Sequence, residues 1–325
     1  MLIQAALLAA LGLVLLVVAG DFLVRGAVNM ALRVGIPALI VSLTVVAFGT
    51  SAPELITSID AVLSGVPDIA LGNVVGSNIA NILLVLGVPA AIAGLHCSVV
   101  DTRRSYVQML AGTVLFLMLA QFGQIGRIAG LILLAALAVV LFDQVRDARA
   151  HRRAARAAAA AQDDDDDDEE VEGANPDMRG WKIGLFLALG LVGLPIGAGL
   201  LVENAAIIAT HFGVSEAVIG LTLVALGTSL PELATSVSAA LRNQSDVALG
   251  NVIGSNLFNL LAILGITSLI APIPVAPEIA DFDLWAMLVV SLMIAPFVLM
   301  RRDIGRLWGV LFCLLYVVYI GLVLI

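Results

Sequence analysis

Two glutamates sit inside very apolar sequence, and each has the same neighbours. Around the first the chain reads Gly49-Thr50-Ser51-Ala52-Pro53-Glu54; around the second it reads Gly227-Thr228-Ser229-Leu230-Pro231-Glu232. A charge in a membrane span costs about 2.5–3.5 kcal/mol on insertion scales, so an intramembrane glutamate points to function. Proline has no N–H for the carbonyl four residues earlier, and its ring disturbs the preceding turn. Such a break at membrane depth is tolerated where it is buried or lines a cavity, and it leaves carbonyl oxygens available to a cation. Thr50 and Ser51 lie four and three residues before Glu54, so their hydroxyls share its helical face, as Thr228 and Ser229 share that of Glu232. Further on, Asn73, Ser77 and Asn81 recur at every fourth residue, matched by Asn251, Ser255 and Asn259. Carboxylates, hydroxyls, amides and loosened carbonyls form an all-oxygen set suited to a hard cation. Calcium takes about 6–8 oxygens in flexible geometry, and sodium accepts a similar, less charged environment.

These groups belong to one segment carried twice. Residues 49–87 and 227–265 align without a gap at a constant offset of 178, with 23 of 39 positions identical. A single serine in a membrane helix often bonds its own i−4 carbonyl, and a lone glutamate can be a structural ion-pair partner. Recurrence with identical neighbours argues against both. Asn73 and Asn251 are expected to bond between helices, and Asp68 and Asp246 to cap the helices they begin. The Gly72/Gly76 and Gly250/Gly254 spacings predict close helix approach. Asp21 and Arg25 are four apart and can pair; the counterpart of Arg25 is Glu203, so that pair lies outside the repeated design.

The elements that carry the segments are membrane spans. The chain is 61% hydrophobic and 13% charged, with mean hydropathy +1.09. Ten apolar runs are long enough to cross about 30 Å of hydrocarbon: 2–23, 37–63, 68–94, 104–121, 126–146, 181–203, 215–241, 246–271, 282–300 and 305–325. Residues 2–23 lack the basic start and small-residue cleavage site of a signal peptide and are read as the first span. With both termini outside, 15 of the 16 basic residues fall on the cytoplasmic side and only Arg127 falls outside. Five spans per half then invert the second half relative to the first. The expected fold is an all-α polytopic membrane protein with ten transmembrane helices in two inverted five-helix repeats, a transporter architecture. Its parts are a first half (1–149), a cytoplasmic linker (150–180) and a second half (181–325).

The net charge of −9 arises mainly from QDDDDDDEEVE at 162–172, after the Arg/Ala-rich stretch 146–161. The latter reads as a helical extension of the fifth span and the former as a solvated acidic linker without EF-hand spacing. Cys97 and Cys313 form no metal or redox motif, and no Ser/His/Asp spacing or phosphate-binding glycine loop is present. Neither an enzyme nor a nucleic-acid binder is expected, and no cofactor.

GTSxPE followed by DxALGNVxGSNxxN, present twice, resembles the α-repeats of the cation/calcium exchanger superfamily, in its prokaryotic sodium/calcium exchanger branch. The resemblance implies a monomeric antiporter in the cell membrane that exchanges sodium for calcium. By position it makes Glu54 and Glu232 the central ligands. Thr50, Ser51, Thr228 and Ser229 would supply hydroxyls, and Ala47 and Ala225 carbonyls. Ser77, Ser255, Asn81 and Asn259 would complete the shell. Some relatives, including potassium-dependent exchangers, have Asp where Asn259 stands; two asparagines here argue against potassium coupling. A proton/calcium antiporter of the same superfamily and a calcium-permeable channel are the alternatives.

Overall fold

In the computed structural model, residues 2–97, 101–159, 178–213 and 225–323 are described. The acidic run 162–172 and the beginning of the seventh expected span lie outside them. Twelve helices are found among the described residues: α1 Leu2–Val34, α2 Ala38–Thr50, α3 Ala52–Leu63, α4 Pro67–Ala93, α5 Arg103–Ala120, α6 Arg127–Ala159, α7 Gly180–His211, α8 Ala225–Thr228, α9 Leu230–Leu241, α10 Ser245–Ile270, α11 Ile279–Leu299 and α12 Arg306–Val323. Seven of them are long and apolar enough to cross a membrane, and the bent pair α2–α3 makes an eighth. Arg103 and Arg104 open α5, and α9 has 12 residues, so neither stands as a span on length and composition alone.

Several boundaries differ from the sequence expectation. The first span was expected to stop at 23, short of Arg25. Instead α1 continues to Val34. Arg25 and Asp21 form an ion pair at 2.9 Å, and Arg242, just past α9, bonds the same carboxylate. Helix α6 runs on through the Arg/Ala-rich stretch, as expected, to Ala159. Asp68 and Asp246 are not caps. Pro67 and Ser245 occupy the first helical positions, so each aspartate lies second, in the first turn. Proline is favoured at that first position, and a carboxylate there still meets the positive end of the helix.

Helices α1 and α7 pack along their length through glycine. A Cβ on Gly197 would lie 3.0 Å from the Gly12 carbonyl oxygen, and one on Gly190 2.6 Å from the Cβ of Leu23. Gly193 also faces α1, against Ala19, but no described atom lies within 4 Å of a Cβ on Gly199. Around α4 and α10 lies the main hydrophobic core, built from residues such as Leu71, Ile79, Ile82, Phe116, Ile253 and Leu260. The expected close approach holds for Gly254, where a Cβ would lie 2.6 Å from the Ala47 Cβ, and for Gly250, against Ser42 and Leu39. No described atom comes that near Gly72 or Gly76.

The loops gather in two groups. In one, Leu95 and Ile304 form an antiparallel bridge, Arg301 bonds Asp101 at 2.8 Å, and the His96 N–H donates to the Ser245 hydroxyl at 3.0 Å. Arg33 reaches the Met178 carbonyl at 3.2 Å. In the other, the short strands Gln124–Ile125 (β1) and Ile273–Pro274 (β2) pair antiparallel.

Candidate functional site

The two glutamates occupy the first turns of α3 and α9, each just past a helix break. The break falls at Ser51 (φ −82°, ψ 5°) and Ser229 (φ −88°, ψ 1°), two residues before each proline. That placement puts proline in the opening turn of the next helix, where its missing N–H costs nothing. Helices α2 and α3 meet at 40°. The Ser51 N–H still reaches the Ala47 carbonyl at 3.0 Å, so that oxygen is not freed outright. In the second copy the Ser229 N–H reaches the Leu226 carbonyl at 3.1 Å.

Glu54, Glu232, Thr50, Ser51, Ser229, Ser77, Ser255, Asn81 and Asn259 are all at most 3% exposed; Thr228 is half-buried. The halves interlock. Ser51, at the first break, donates to Oε1 of Glu232 at 3.3 Å. Thr228, at the second, faces the Glu54 carboxylate, and the two carboxylates lie close enough to repel each other. Thr50 and Ser255 also approach Glu232. One level on, the Asn81 amide donates to Oδ1 of Asn256 at 3.0 Å, and Asn256 donates to the Asn78 carbonyl at 3.3 Å, again across the halves. Among the described residues no arginine, lysine or histidine pairs with either glutamate.

Several buried polar atoms here lack a hydrogen-bond partner among the described residues: Oε2 of Glu54 and Glu232, the hydroxyls of Ser229 and Ser255, Oδ1 of Asn81 and both amide atoms of Asn259. Leaving one such group unsatisfied costs about 1–3 kcal/mol, more when charged. Most of these atoms are oxygens, gathered around two carboxylates. A cation that accepts their lone pairs removes the cost; the residue types fit one. The Ala47 carbonyl accepts the Ser51 N–H and the Thr50 hydroxyl. Ala225 is placed as the first residue of α8. The expected interhelical bonds of Asn73 and Asn251 are present.

Two features escaped sequence reasoning. One is the bridge through Asn78 and Asn256; its signal was their identity in the GSN of both copies. The other is a π-helical turn at the same place in each half, Asn81–Val85 and Phe258–Ile263; among the described residues two more occur, at Ser42–Val46 before the first break and at Ile279–Asp283 at the start of α11. Single π turns inside α-helices are rare and concentrate at functional sites. They widen the helix where Asn81 and Asn259 project.

Fold and site together define a multi-pass α-helical membrane protein with a buried, oxygen-lined cluster shared by two related halves. The chain matches the family model for sodium/calcium exchanger protein over residues 4–145 and 182–325, and it belongs to that family. It is 36% identical over 340 residues to the sodium/calcium exchanger MaX1 of Methanosarcina acetivorans, covering 95% of each chain. It is 35% identical over 310 residues to the putative antiporter CaxA of Alkalimonas amylolytica, covering 95% of this chain and 94% of that one. Among solved structures it resembles the sodium-calcium exchanger NCX_Mj, soaked with zero Na+ and Ca2+. That match has TM-score 0.82 and 31% identity, covering 99% of this chain and 100% of that one.

Proposed function

We propose that this protein is a secondary active antiporter that exchanges sodium for calcium by alternating access. The observation that carries the reading is the buried pair Glu54 and Glu232, each at a helix break, served by hydroxyls of the opposite half and surrounded by unpartnered oxygens. Glu54 and Glu232 bind calcium. The hydroxyls of Thr50, Ser51, Thr228 and Ser229, the carbonyls of Ala47 and Ala225, and Ser77, Ser255, Asn81 and Asn259 complete the calcium and sodium shells. Membership of the family supports the choice of ions.

The spans number ten, in two inverted halves, with both termini outside and residues 150–180 cytoplasmic. The loop contacts support this topology. The reading places residues 33, 95, 96, 101, 178, 245, 301 and 304 on the cytoplasmic side; residue 33 touches 178, and residues 95, 96 and 101 touch 304, 245 and 301. It places β1 and β2 outside, and they pair. An inverted pair of halves around one site is suited to opening that site to each side in turn.

Exchange is electrogenic. Two ionised glutamates and two neutral asparagines give the site about −2 charge, so one calcium leaves it near neutral and three sodium ions leave it near +1. Moving that charge is worth about 2.3 kcal/mol per 100 mV. The test is calcium-45 uptake into proteoliposomes under an imposed sodium gradient. Uptake that follows the sodium gradient is expected. Uptake that ignores sodium and follows a proton gradient would establish the proton antiporter instead, and uptake down its own gradient without either coupling would establish a channel.

A further inference from the structure

A hydroxyl can ligate a cation only if its proton points elsewhere. Thr50 lies beside the Glu232 carboxylate, a competing acceptor for its O–H. Its hydroxyl oxygen also stands 3.2 Å from Oδ1 of Asn251, in the other half, and 3.3 Å from the Ala47 carbonyl, which already accepts the Ser51 N–H. The Asn251 side chain is fully buried and its orientation is dictated. Its Nδ2 faces the Glu232 carbonyl at 3.2 Å and the Ser236 hydroxyl at 3.1 Å. A carbonyl only accepts, so the nitrogen must take that side and the oxygen must face Thr50. The first half repeats the fixing. Nδ2 of Asn73 faces the Glu54 carbonyl at 3.4 Å and the Ser58 hydroxyl at 3.2 Å, at the same sequence separations of 19 and 15.

We propose that Asn251 is a positioning residue that accepts the Thr50 O–H hydrogen bond and so turns the Thr50 lone pairs toward an entering cation. The amide is locked by Glu232 and Ser236, so the acceptor is in place before the ion arrives. This rests on the cation-site reading above. It follows that Asn251 acts mainly on sodium. A monovalent ion draws more of its binding from neutral oxygens, whereas a divalent ion draws chiefly on the carboxylates, since Coulomb attraction scales with the ion's charge.

Half-saturating sodium and calcium are measured for exchange in proteoliposomes, for wild type, Asn251→Ala, Thr50→Val and the double variant. Asn251→Ala should raise half-saturating sodium about five-fold, the size of one lost hydrogen bond, and calcium less than about two-fold. The double variant should be no worse than the worse single one, because both remove the same interaction. Asn251→Asp keeps an acceptor toward Thr50 and, protonated in this burial, a donor toward the Glu232 carbonyl. It should restore most of the sodium response, and it carries the test if Asn251→Ala does not insert. Equal changes for both ions, multiplicative effects in the double variant, or an Asn251→Asp protein as impaired as Thr50→Val would overturn the assignment. A wild-type protein that exchanges neither ion would instead overturn the cation-site reading itself.

Discussion

At the scale of single residues, the account depends on charge and on where hydroxyl protons go. Removing one partner from a buried charged cluster costs about 3–5 kcal/mol, about two to three and a half decades in binding. Glu54→Gln and Glu232→Gln should therefore each abolish calcium transport while the protein still inserts and folds; near wild-type exchange by either variant contradicts the ligand assignment. Most of this scale was legible in the sequence. Glu54, Glu232 and their hydroxyl neighbours stood out because charge and polarity in an apolar run need a reason, and because they occur twice. Asn78 and Asn256 were equally repeated but were passed over. An asparagine beside other polar residues gives no hint that it bonds across to the opposite half, a contact set by tertiary packing.

At the scale of elements, the sequence located the helices better than their ends and interiors. Proline and glycine marked the breaks, but the break itself falls at Ser51 and Ser229, because proline prefers the opening turn of the following helix. The π turns left no trace in hydropathy. They depend on how a helix meets its neighbours, and apolar periodicity cannot resolve one inserted residue. The charges of α1 misled for the opposite reason. Asp21 and Arg25 read as a local pair near the end of the first span, yet Arg242, just past α9, joins the same carboxylate and the helix runs on to Val34. Close packing at this scale gives a direct test. Gly254 touches the helix that carries Thr50, and a Cβ there would lie 2.7 Å from the Leu43 carbonyl oxygen. Overpacking of this kind costs about 1–3 kcal/mol, so Gly254→Ala should lower the melting temperature and raise the half-saturating concentrations of both ions. Gly184→Ala, in α7 with no described atom within 4 Å, should leave stability unchanged or raise it by about 0.5–1 kcal/mol through helix propensity. The reverse order of stabilities, read by thermal unfolding in detergent, would show that α2 and α10 do not meet as described.

At the scale of the whole molecule, topology and energetics can be separated. Cysteines placed at positions 165 and 275 should react with impermeant reagents from opposite sides of the membrane; reaction from one side only contradicts the inverted halves. Deleting 162–172 should leave exchange largely intact, since every proposed ligand lies in the membrane core. Loss of exchange from correctly inserted protein would make that linker part of the mechanism. Clamping vesicle voltage with valinomycin and potassium should show that an inside-negative potential speeds sodium entry coupled to calcium exit. Rates indifferent to voltage would replace three-for-one coupling with an electroneutral exchange. The central claim is narrower than any of these: one buried site, shared by the two halves, takes both ions. Equilibrium binding of calcium-45 to the purified protein, titrated with sodium, tests it most directly. The account predicts one saturable calcium per chain, displaced by sodium more steeply than a single-ion competitor would allow, and lost in Glu54→Gln and Glu232→Gln alike. Calcium binding that sodium leaves untouched, or that survives the loss of either carboxylate, would contradict it.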